Sequence, residues 1–505
     1  MGISLGFLMI TTFSWIPKGV AKAMRADELP SKEEIEMHKD SCKYFSNDTE
    51  EEETEDEEEN GEVAHAKAVA EEFGKSSKSK NVSSSMELDD EVAEGLKELD
   101  MDNYDEEDDG IEIFSSGRGD LYYKSNEMDP YLKRNDDHDD DSDDDPPILP
   151  TDLVIVCAMT DDKEANRLDV YVSEDTSHGS PNMYNHHYRI IPAIPLCTAW
   201  LDCPLKGGER GNFLAVGSDG TPTIEIWDLD AWFDMLPCVQ LGGQNKEGNY
   251  KQGSHTRSVL GLAWNKEFRN ILASASADKK VKVWDVATGT CKITMEHHTK
   301  EVQAVAWNHY APEVLLSGSF DQTVVLKDGR QPSHSGFKWS VMSDVESLAW
   351  DPHSEHSFVV SLEDGTVKGF DVRQASISAS ESNPSFTING HDEAATSVSY
   401  NISAPNLLAT GSKDRTVKLW DLSNNEPSCI ATHNPNAGGL FFIAFSPDNP
   451  FLLAMGGVMG ELKLWDTLSD TNVSSRYGSR EVRPESLSIV KISYMQNRPL
   501  KIRML

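Results

Sequence analysis

The sequence predicts an all-β fold, a seven-bladed β-propeller, preceded by a long acidic disordered region. The first observation behind this prediction is a recurring motif, in which a Trp-Asp pair closes a β-branched stretch and a small-residue segment precedes it by about ten residues. Two degenerate pairs, Lys327-Asp328 and Phe370-Asp371, continue the series, with steps of 57, 43, 43, 50 and 45 residues from Trp227 onward. Self-similarity at this period indicates a repeat array. The complete pairs are Trp227-Asp228, Trp284-Asp285, Trp420-Asp421 and Trp465-Asp466.

Each repeat reads as four short strands. In the copy that ends at Trp284, the β-forming stretches SVLGLAWN, ILASAS, VKVWD and CKITM alternate with turn residues. A sheet this small cannot bury both of its faces alone. We therefore expect neighbouring sheets to pack radially, with Trp and Val side chains at equivalent positions forming the core between them.

The number of blades and the closure of the ring are read from the ends of the array. Residues 151–191 contain TDLVIVCAM and LDVYVSED without a Trp-Asp ending, and we interpret them as a degenerate first blade. The 355 residues from 151 to 505 allow seven or eight blades at about 40 to 45 residues each. We predict seven, within residues 151–470. The basic tail, 471–505, is a candidate source of the closing strand, through either TNVSSRYGS or SLSIVKISYM.

Residues 27–150 form a separate acidic region. They hold 44 of the 86 acidic residues against 12 Lys and Arg, a net charge of −32. Because like charges repel and apolar residues are few, we predict that this region is largely disordered. A polyanion attracts basic proteins and repels nucleic-acid backbones, so RNA contact is expected to be indirect or through the basic tail. A solubilising segment without a specific partner is the alternative. Thr54 and Ser142 lie in acidic runs and are candidate phosphorylation sites.

The first 26 residues contain no acid and begin with the apolar stretch MGISLGFLMITTFSWI. This stretch lacks the charged leading region of a signal peptide and is too short for a membrane span. We set residues 1–26 apart as an N-terminal peptide and expect no membrane partner. The seven cysteines are odd in number and lack a CxxC pair, which indicates reduced thiols and no zinc site.

Polar residues recur in register with the repeats and resemble those of the WD-repeat family. In that family a His before the innermost strand, an Asp in the turn before the third strand, a hydroxyl residue and the Trp share a buried hydrogen-bond network. The resemblance implies a structural role for the matching histidines here. The seventh repeat departs from the pattern, because its turn GGVMGELK has no Asp. The residues assigned to the structural network are Trp227, His255, Asp278, Trp284, His298, Asp321, His391, Asp414, Trp420, His433 and Trp465.

A more specific resemblance spans nearly the whole chain. The peptide SWIPKGVAKA, the stretch SKEEIE, the acidic linker, a DPYL island and the repeat segments TPTIEIWDLD and RNILASASAD together resemble the periodic tryptophan protein family of the nucleolus. The resemblance implies a nuclear and nucleolar scaffold in ribosome biogenesis, with roles in ribosomal RNA production and processing and in large-subunit assembly. In that family the peptide lies near the start codon, so Met9 is an alternative start.

Catalysis has little support in the sequence. The Gly-rich segments lack the Lys-Ser/Thr ending of a phosphate-binding loop, and we expect no enzyme, cofactor, metal or small-molecule substrate. Two other binding functions stay open. The first is a chromatin protein that binds histones through the acidic region. The second is a substrate receptor of a cullin-type ubiquitin ligase, because Arg330 and Arg373 each lie two residues after the Asp of a repeat ending.

Overall fold

The protein is a seven-bladed β-propeller. The structure, a computed structural model, describes residues 8–22 and 147–478, except for 162–164, 175–181, 206, 208–209, 232–235, 332 and 375–382. The described residues form seven antiparallel sheets, six with four strands and one with three. The sequence-based prediction of this fold is confirmed. The acidic region, except for residues 147–150, lies outside the described residues.

The strands follow one another from the centre of the ring to its rim in every sheet. The first sheet contains β1 (Leu8–Ile16), β2 (Leu153–Asp161), β3 (Arg167–Glu174) and β4 (Asn182–Ile190). The second contains β5 (Pro195–Leu201), β6 (Phe213–Ser218), β7 (Thr223–Asp228) and β8 (Val239–Gly242). The third contains β9 (Val259–Trp264), β10 (Ile271–Ser276), β11 (Val281–Asp285) and β12 (Thr290–Met295). The fourth contains β13 (Val302–Trp307), β14 (Val314–Ser319), β15 (Thr323–Asp328) and β16 (Phe337–Ser340).

The last three sheets complete the ring. The fifth contains β17 (Val345–Trp350), β18 (Ser357–Leu362), β19 (Thr366–Asp371) and β20 (Phe386–Asn389). The sixth contains β21 (Ala395–Tyr400), β22 (Leu407–Ser412), β23 (Val417–Asp421) and β24 (Ser428–His433). The seventh contains β25 (Leu440–Phe445), β26 (Leu452–Gly457) and β27 (Lys463–Asp466). Helix α1 (Thr471–Tyr477) follows, and short 3-10 helices lie at Val372–Gln374, Ser423–Asn425 and Thr467–Ser469.

The ring closes through β1, which is separated from β2 by the whole acidic region. β1 pairs with β2 in antiparallel register, from Leu8 opposite Asp161 to Ile16 opposite Val154. On its other side it packs against the seventh sheet. Ile10 and Phe13 share a buried cluster with Ala454 and Leu462, and the Phe13 ring meets the Phe442 ring edge-on with centroids 5.0 Å apart. The N-terminal strand therefore joins the first sheet to the last.

This closure corrects two expectations from the sequence. Residues 1–26 are not set apart from the propeller, because 8–16 provide its first strand. The segment TNVSSRYG does not provide a strand but forms α1, because the Asp470 carboxylate accepts hydrogen bonds from the amides of Asn472 and Val473 at its first turn. Val473 and Tyr477, four residues apart, bury one side of the helix against the sixth and seventh sheets. The other candidate, SLSIVKISYM, lies outside the described residues.

Aromatic side chains fill the spaces between sheets. Trp284 of the third sheet packs among apolar side chains of the second, and Trp227, Trp420 and Trp465 pack in the same way against the sheet before their own. A second series of tryptophans ends the innermost strands. The indole Nε1 of one of these residues donates to a backbone carbonyl of the preceding sheet in three places. The pairs are Trp307 with Ala263 (3.0 Å), Trp350 with Ala306 (3.1 Å) and Trp15 with Ala444 (3.2 Å).

The antiparallel order gives the ring two distinct faces. One, which we call the turn face, carries the turns between the second and third strands of each sheet and the connections from one sheet to the next, such as 277–280 and 296–301. The other, which we call the attachment face, carries the remaining loops. Residues 17–22 and 147–152 lie on it, because they follow β1 and precede β2. The acidic region is therefore connected to the attachment face at both of its ends.

Candidate functional site

A complete polar network lies in the third sheet, beneath the turn face. His255 precedes β9, Ser274 lies on β10, Trp284 on β11 and Asp278 in the turn between β10 and β11. His255 Nδ1 lies 2.9 Å from Asp278 Oδ2, and His255 Nε2 lies 2.7 Å from Ser274 Oγ. Trp284 Nε1 donates to the same Ser274 oxygen at 2.8 Å. The four side chains form one continuous chain of hydrogen bonds.

One assignment of protons satisfies this chain. The indole N–H donates to the Ser274 oxygen, the Ser274 O–H donates to His255 Nε2, and His255 Nδ1–H donates to Asp278. This assignment requires a neutral imidazole, and burial lowers the pKa of His255. Burial opposes ionisation of Asp278, but hydrogen bonds from His255 and from the backbone amides of Thr256 and Lys280 hold the pKa of that carboxyl below its usual range.

The sixth sheet repeats this arrangement with a threonine as the hydroxyl residue. His391 Nδ1 lies 2.8 Å from Asp414 Oδ2, and His391 Nε2 lies 2.8 Å from Thr410 Oγ1. Trp420 Nε1 donates to Thr410 Oγ1 at 2.9 Å. Burial lowers the pKa of His391, so this imidazole is also neutral near pH 7.

The fourth sheet builds the network without a tryptophan. His298 Nδ1 lies 3.1 Å from Asp321 Oδ2, and His298 Nε2 lies 2.9 Å from Ser317 Oγ. Lys327 occupies the Trp position, and its ammonium group donates to the carbonyl of His334. The missing indole donor is replaced by His297, because its Nε2 lies 2.8 Å from Ser317 Oγ. Burial, followed by the proximity of His298, lowers the pKa of His297 to about 3.

The role of His297 was missed by the sequence analysis. The signal that could have revealed it is the pairing of two features in one repeat: a His-His doublet at 297–298 and a lysine in place of the repeat Trp. In the third and sixth sheets the buried hydroxyl group lies between a histidine and an indole N–H. In the fourth sheet no indole is present, and the imidazole of His297 provides the N–H donor instead.

Two tryptophans assigned to the network do not take part in a chain of this kind. In the second sheet Val216 takes the position that Ser274 has in the third, as the strand registers show, so the indole of Trp227 has no hydroxyl partner there. The Arg189 guanidinium carbon lies 5.3 Å from its ring centre. In the seventh sheet Met455 takes the hydroxyl position. There the imidazole of His433 stacks on the ring of Trp465, with centroids 4.6 Å apart and an angle of 21°. Apolar and ring contacts replace hydrogen bonds at both positions.

The networks have a structural role: they hold the loops of the turn face in place. In each of the three, the Asp also accepts a backbone N–H from the loop that leads into its own sheet, at Thr256, Thr299 and Asp392. The networks therefore fix the turns and loops of the turn face relative to the strands beneath them. A rigid loop loses little conformational entropy when a partner binds, which favours a binding surface.

Arg330 and Arg373 lie on the attachment face, just beyond β15 and β19. Each guanidinium forms a two-point ion pair with the Asp two residues before it. Arg330 Nη2 lies 2.7 Å from Asp328 Oδ2, and Arg373 Nη2 lies 2.5 Å from Asp371 Oδ2. The side chains are nevertheless 65% and 66% exposed. Both arginines cap a turn and remain accessible to a partner.

The remaining sequence-based expectations concern phosphorylation sites, cysteines, metal sites and membrane spans. The candidate phosphorylation sites Thr54 and Ser142 lie outside the described residues. Of the cysteines, Cys42 does as well, and the other six are free thiols. Within residues 8–22 and 147–478, gaps excepted, no cluster of three or more His, Cys, Asp or Glu side chains is arranged as a metal site. No helix of that same part of the chain is long and apolar enough to cross a membrane.

A closed ring of seven small antiparallel sheets, with Asp–His–hydroxyl networks that include a Trp in two of them, defines a WD-repeat β-propeller. The family model "WD domain, G-beta repeat" matches residues 249–285, 289–328 and 382–421, and these three stretches contain the three networks. Similar proteins include an uncharacterized WD repeat-containing protein of Schizosaccharomyces pombe, 36% identical over 78% of this chain and 78% of its own length. The chain belongs to the WD-repeat protein family.

Two further relatives carry the name Periodic tryptophan protein 1, and they indicate a WD-repeat protein of that type. Periodic tryptophan protein 1 of Saccharomyces cerevisiae is 28% identical over 93% of this chain and 90% of its own length. The Periodic tryptophan protein 1 homolog of Drosophila melanogaster is 27% identical over 61% of this chain and 66% of its own length. The yeast alignment extends well beyond the matched repeats, so the similarity concerns the organisation of the chain as well as its fold.

Proposed function

We propose that this protein is a non-enzymatic scaffold of the nucleus and nucleolus that acts in ribosome biogenesis. Its tasks would be ribosomal RNA production and processing and the assembly of the large subunit. The observation that carries the proposal is the similarity to yeast Periodic tryptophan protein 1 over 93% of the chain, together with the resemblance of the N-terminal peptide and acidic linker to the nucleolar family.

The geometry of the propeller supports a scaffold. A rigid ring presents two faces and a rim to different partners, and function then depends on the sites that these surfaces carry. The acidic region, with a net charge of −32 over 27–150, is held at both ends on the attachment face. A tethered polyanion would collect basic assembly factors, and the faces and rim of the ring would offer surfaces for other contacts. Such a scaffold needs no catalytic group.

The proposal is tested by purification of the tagged full-length chain from cells, with and without ribonuclease. We expect precursors of the large ribosomal subunit in the untreated sample. Partners held through RNA should leave on treatment, while basic assembly factors bound by the acidic region should stay. Absence of ribosomal precursors from both samples would overturn the scaffold proposal.

Histone binding is a second candidate, favoured by the charge of the acidic region. It requires association with core histones that weakens steeply with salt, because exposed charges are screened within about 10 Å at 0.1 M salt. An internal deletion of residues 27–144 should abolish this association. Histone binding that survives the deletion would exclude the acidic region as the contact.

The ligase-receptor alternative rests on the exposure of Arg330 and Arg373. Both guanidinium groups lie on the same face at equivalent positions of adjacent sheets, so one adaptor could contact both. Charge reversal by Arg330→Glu and Arg373→Glu should remove adaptor binding if the protein is a receptor. Under the scaffold proposal the same pair of substitutions should leave ribosomal precursors bound.

A further inference from the structure

Three cations form an arc on the turn face, and we call them the basic arc. Arg257 lies in the loop from the second sheet to the third, Lys279 in the turn of the third sheet, and Lys300 in the loop from the third sheet to the fourth. All three are exposed. Within the described part of the chain, none of them forms an ion pair, whereas Lys280 beside them is paired with Glu296 at 2.6 Å.

The backbone beneath the basic arc is held in place. The hydroxyl of Ser276 donates to the carbonyl of Arg257 at 3.3 Å, and the hydroxyl of Ser319 donates at 2.7 Å to the carbonyl of Glu301, the residue that follows Lys300. Lys279 follows Asp278, the carboxylate of the network in the third sheet. The three cations therefore project from fixed positions, so a ligand would not need to order the loops that carry them.

Lys279 occupies a backbone conformation that suits glycine. Its φ is 68°, and the corresponding turns of the second, fifth and seventh sheets have glycine there: Gly220 (68°), Gly365 (81°) and Gly460 (67°). A residue with a Cβ is strained in this region, while glycine is not. The corresponding turns of the fourth and sixth sheets have Gln322 (62°) and Arg415 (71°) there, so the fold accepts other residues at this position, and glycine in place of Lys279 would remove the cation without imposing strain.

The residues that follow along the ring indicate what kind of anion fits. Met342, which is 77% exposed, lies in the connection from the fourth sheet to the fifth, one such connection beyond Lys300. Carboxylates follow on the same face at Glu301, Asp344, Glu363 and Asp392. A uniform polyanion such as RNA, long enough to cross several sheets, would be repelled by these carboxylates and by the overall charge of −40. A polypeptide can place a short acidic stretch on the cations and neutral or basic residues over the carboxylates.

We propose that the turn face binds an acidic segment of a partner protein, seated on Arg257, Lys279 and Lys300. Its apolar side chains would contact Met342. This site differs from the acidic region, for which we propose basic partners, in the sign of its charge, and it lies on the face opposite residues 17–22 and 147–152. It does not depend on the pathway in which the scaffold acts.

The test uses the purified full-length chain and a labelled 12-residue peptide with a short central run of glutamates between neutral residues, with binding followed by fluorescence anisotropy at low and high salt. The key variant is Lys279→Gly, which removes one cation and also relieves the backbone strain. We expect it to keep or raise the thermal midpoint while weakening peptide binding roughly twofold to fivefold, as for one exposed charge pair. Arg257→Gln, Lys279→Gly and Lys300→Gln together should weaken binding at least about tenfold.

Two matched controls distinguish the arc from the rest of the face. Arg415→Gly removes a cation from the equivalent turn of the sixth sheet, where φ is 71°, and Gln322→Gly changes the fourth sheet, where φ is 62°, without removing charge. Both should leave peptide affinity within twofold. Equal losses for Lys279→Gly and Arg415→Gly, or no binding by the unaltered chain at low salt, would overturn the proposal. So would tighter binding of a 12-nucleotide RNA that is weakened by the same variants.

Discussion

The closure of the ring by β1 predicts that a single substitution near the N-terminus destabilises the whole propeller. Phe13 is 2% exposed and lies between the first and seventh sheets, edge-on to Phe442. Truncation of a buried Phe to Ala costs about 3–5 kcal/mol, and part of this, about 0.5–1.5 kcal/mol, belongs to the ring pair. With a urea m-value of about 3 kcal/mol/M, Phe13→Ala should lower the unfolding midpoint by about 1 M.

The assay is urea unfolding of the full-length chain, followed by the fluorescence of its 11 tryptophans. The control is Lys22→Ala, since Lys22 is an exposed residue of the same N-terminal segment and its 3.8 Å ion pair with Asp230 contributes less than about 1 kcal/mol. A midpoint for Phe13→Ala that equals the control would refute the closure, because β1 would then not be part of the cooperative unit.

Three further predictions concern the polar networks. His297→Leu should cost about 1–3 kcal/mol, since it removes the donor that replaces the indole, and a urea midpoint equal to that of the unaltered chain would contradict this role. Thr410→Val should cost at least about 1–3 kcal/mol, because His391 loses its hydroxyl partner, and the same measurement would detect it. Burial lowers the folded-state pKa values of His255, His297 and His391. The unfolded chain therefore takes up protons first, and stability should fall as the pH drops below about 6.5. Urea midpoints at pH 7.5, 6 and 5 should decline in that order, and less steeply for His297→Leu.

The fold could be predicted because each repeat carries its own sequence motifs close to the strands of one sheet. Each Trp-Asp ending and each Asp-containing turn lies within a few residues of the strands that it joins, so period and register are visible in the chain. β1 was harder to place, because its partner strand follows a long acidic region. Its ending Ser14-Trp15 nevertheless matches the pairs Ala199-Trp200 and Ala263-Trp264 that end the innermost strands. This match could have identified β1 as an innermost strand. The apolar character of the N-terminal stretch instead directed attention to a signal peptide or a membrane span.

The composition of the networks could be predicted less completely than their positions. Asp and His recur at fixed spacing, but the donor that reaches a hydroxyl depends on which neighbouring side chain fills the space left by a missing Trp. In the fourth sheet that donor is His297, and in the seventh no hydroxyl is present, so His433 stacks on Trp465. Sequence spacing does not distinguish these outcomes, because both follow from packing across the sheet.

The position of β1 also changes how the acidic region should be removed in experiments. An N-terminal truncation that includes residues 8–22 would remove the closing strand along with the charge. An internal deletion would not, because the two ends of the region are adjacent: Val20 and Ala21 pack against the cluster that contains Ile148. Deletion of 27–144 shortens the loop between β1 and β2 from about 135 to about 17 residues, which lowers its closure entropy by about 2 kcal/mol.

We therefore expect the internal deletion to raise the urea midpoint and the truncation of residues 1–26 to lower it. Relief of charge repulsion within the region acts in the same direction as the shorter loop. The comparison is informative because the two variants are complementary. The internal deletion keeps β1 and removes the acidic region, whereas the truncation removes β1 and keeps that region. If the internal deletion destabilised the propeller by more than about 1 kcal/mol, the acidic region would have to contribute contacts that an entropic loop does not make.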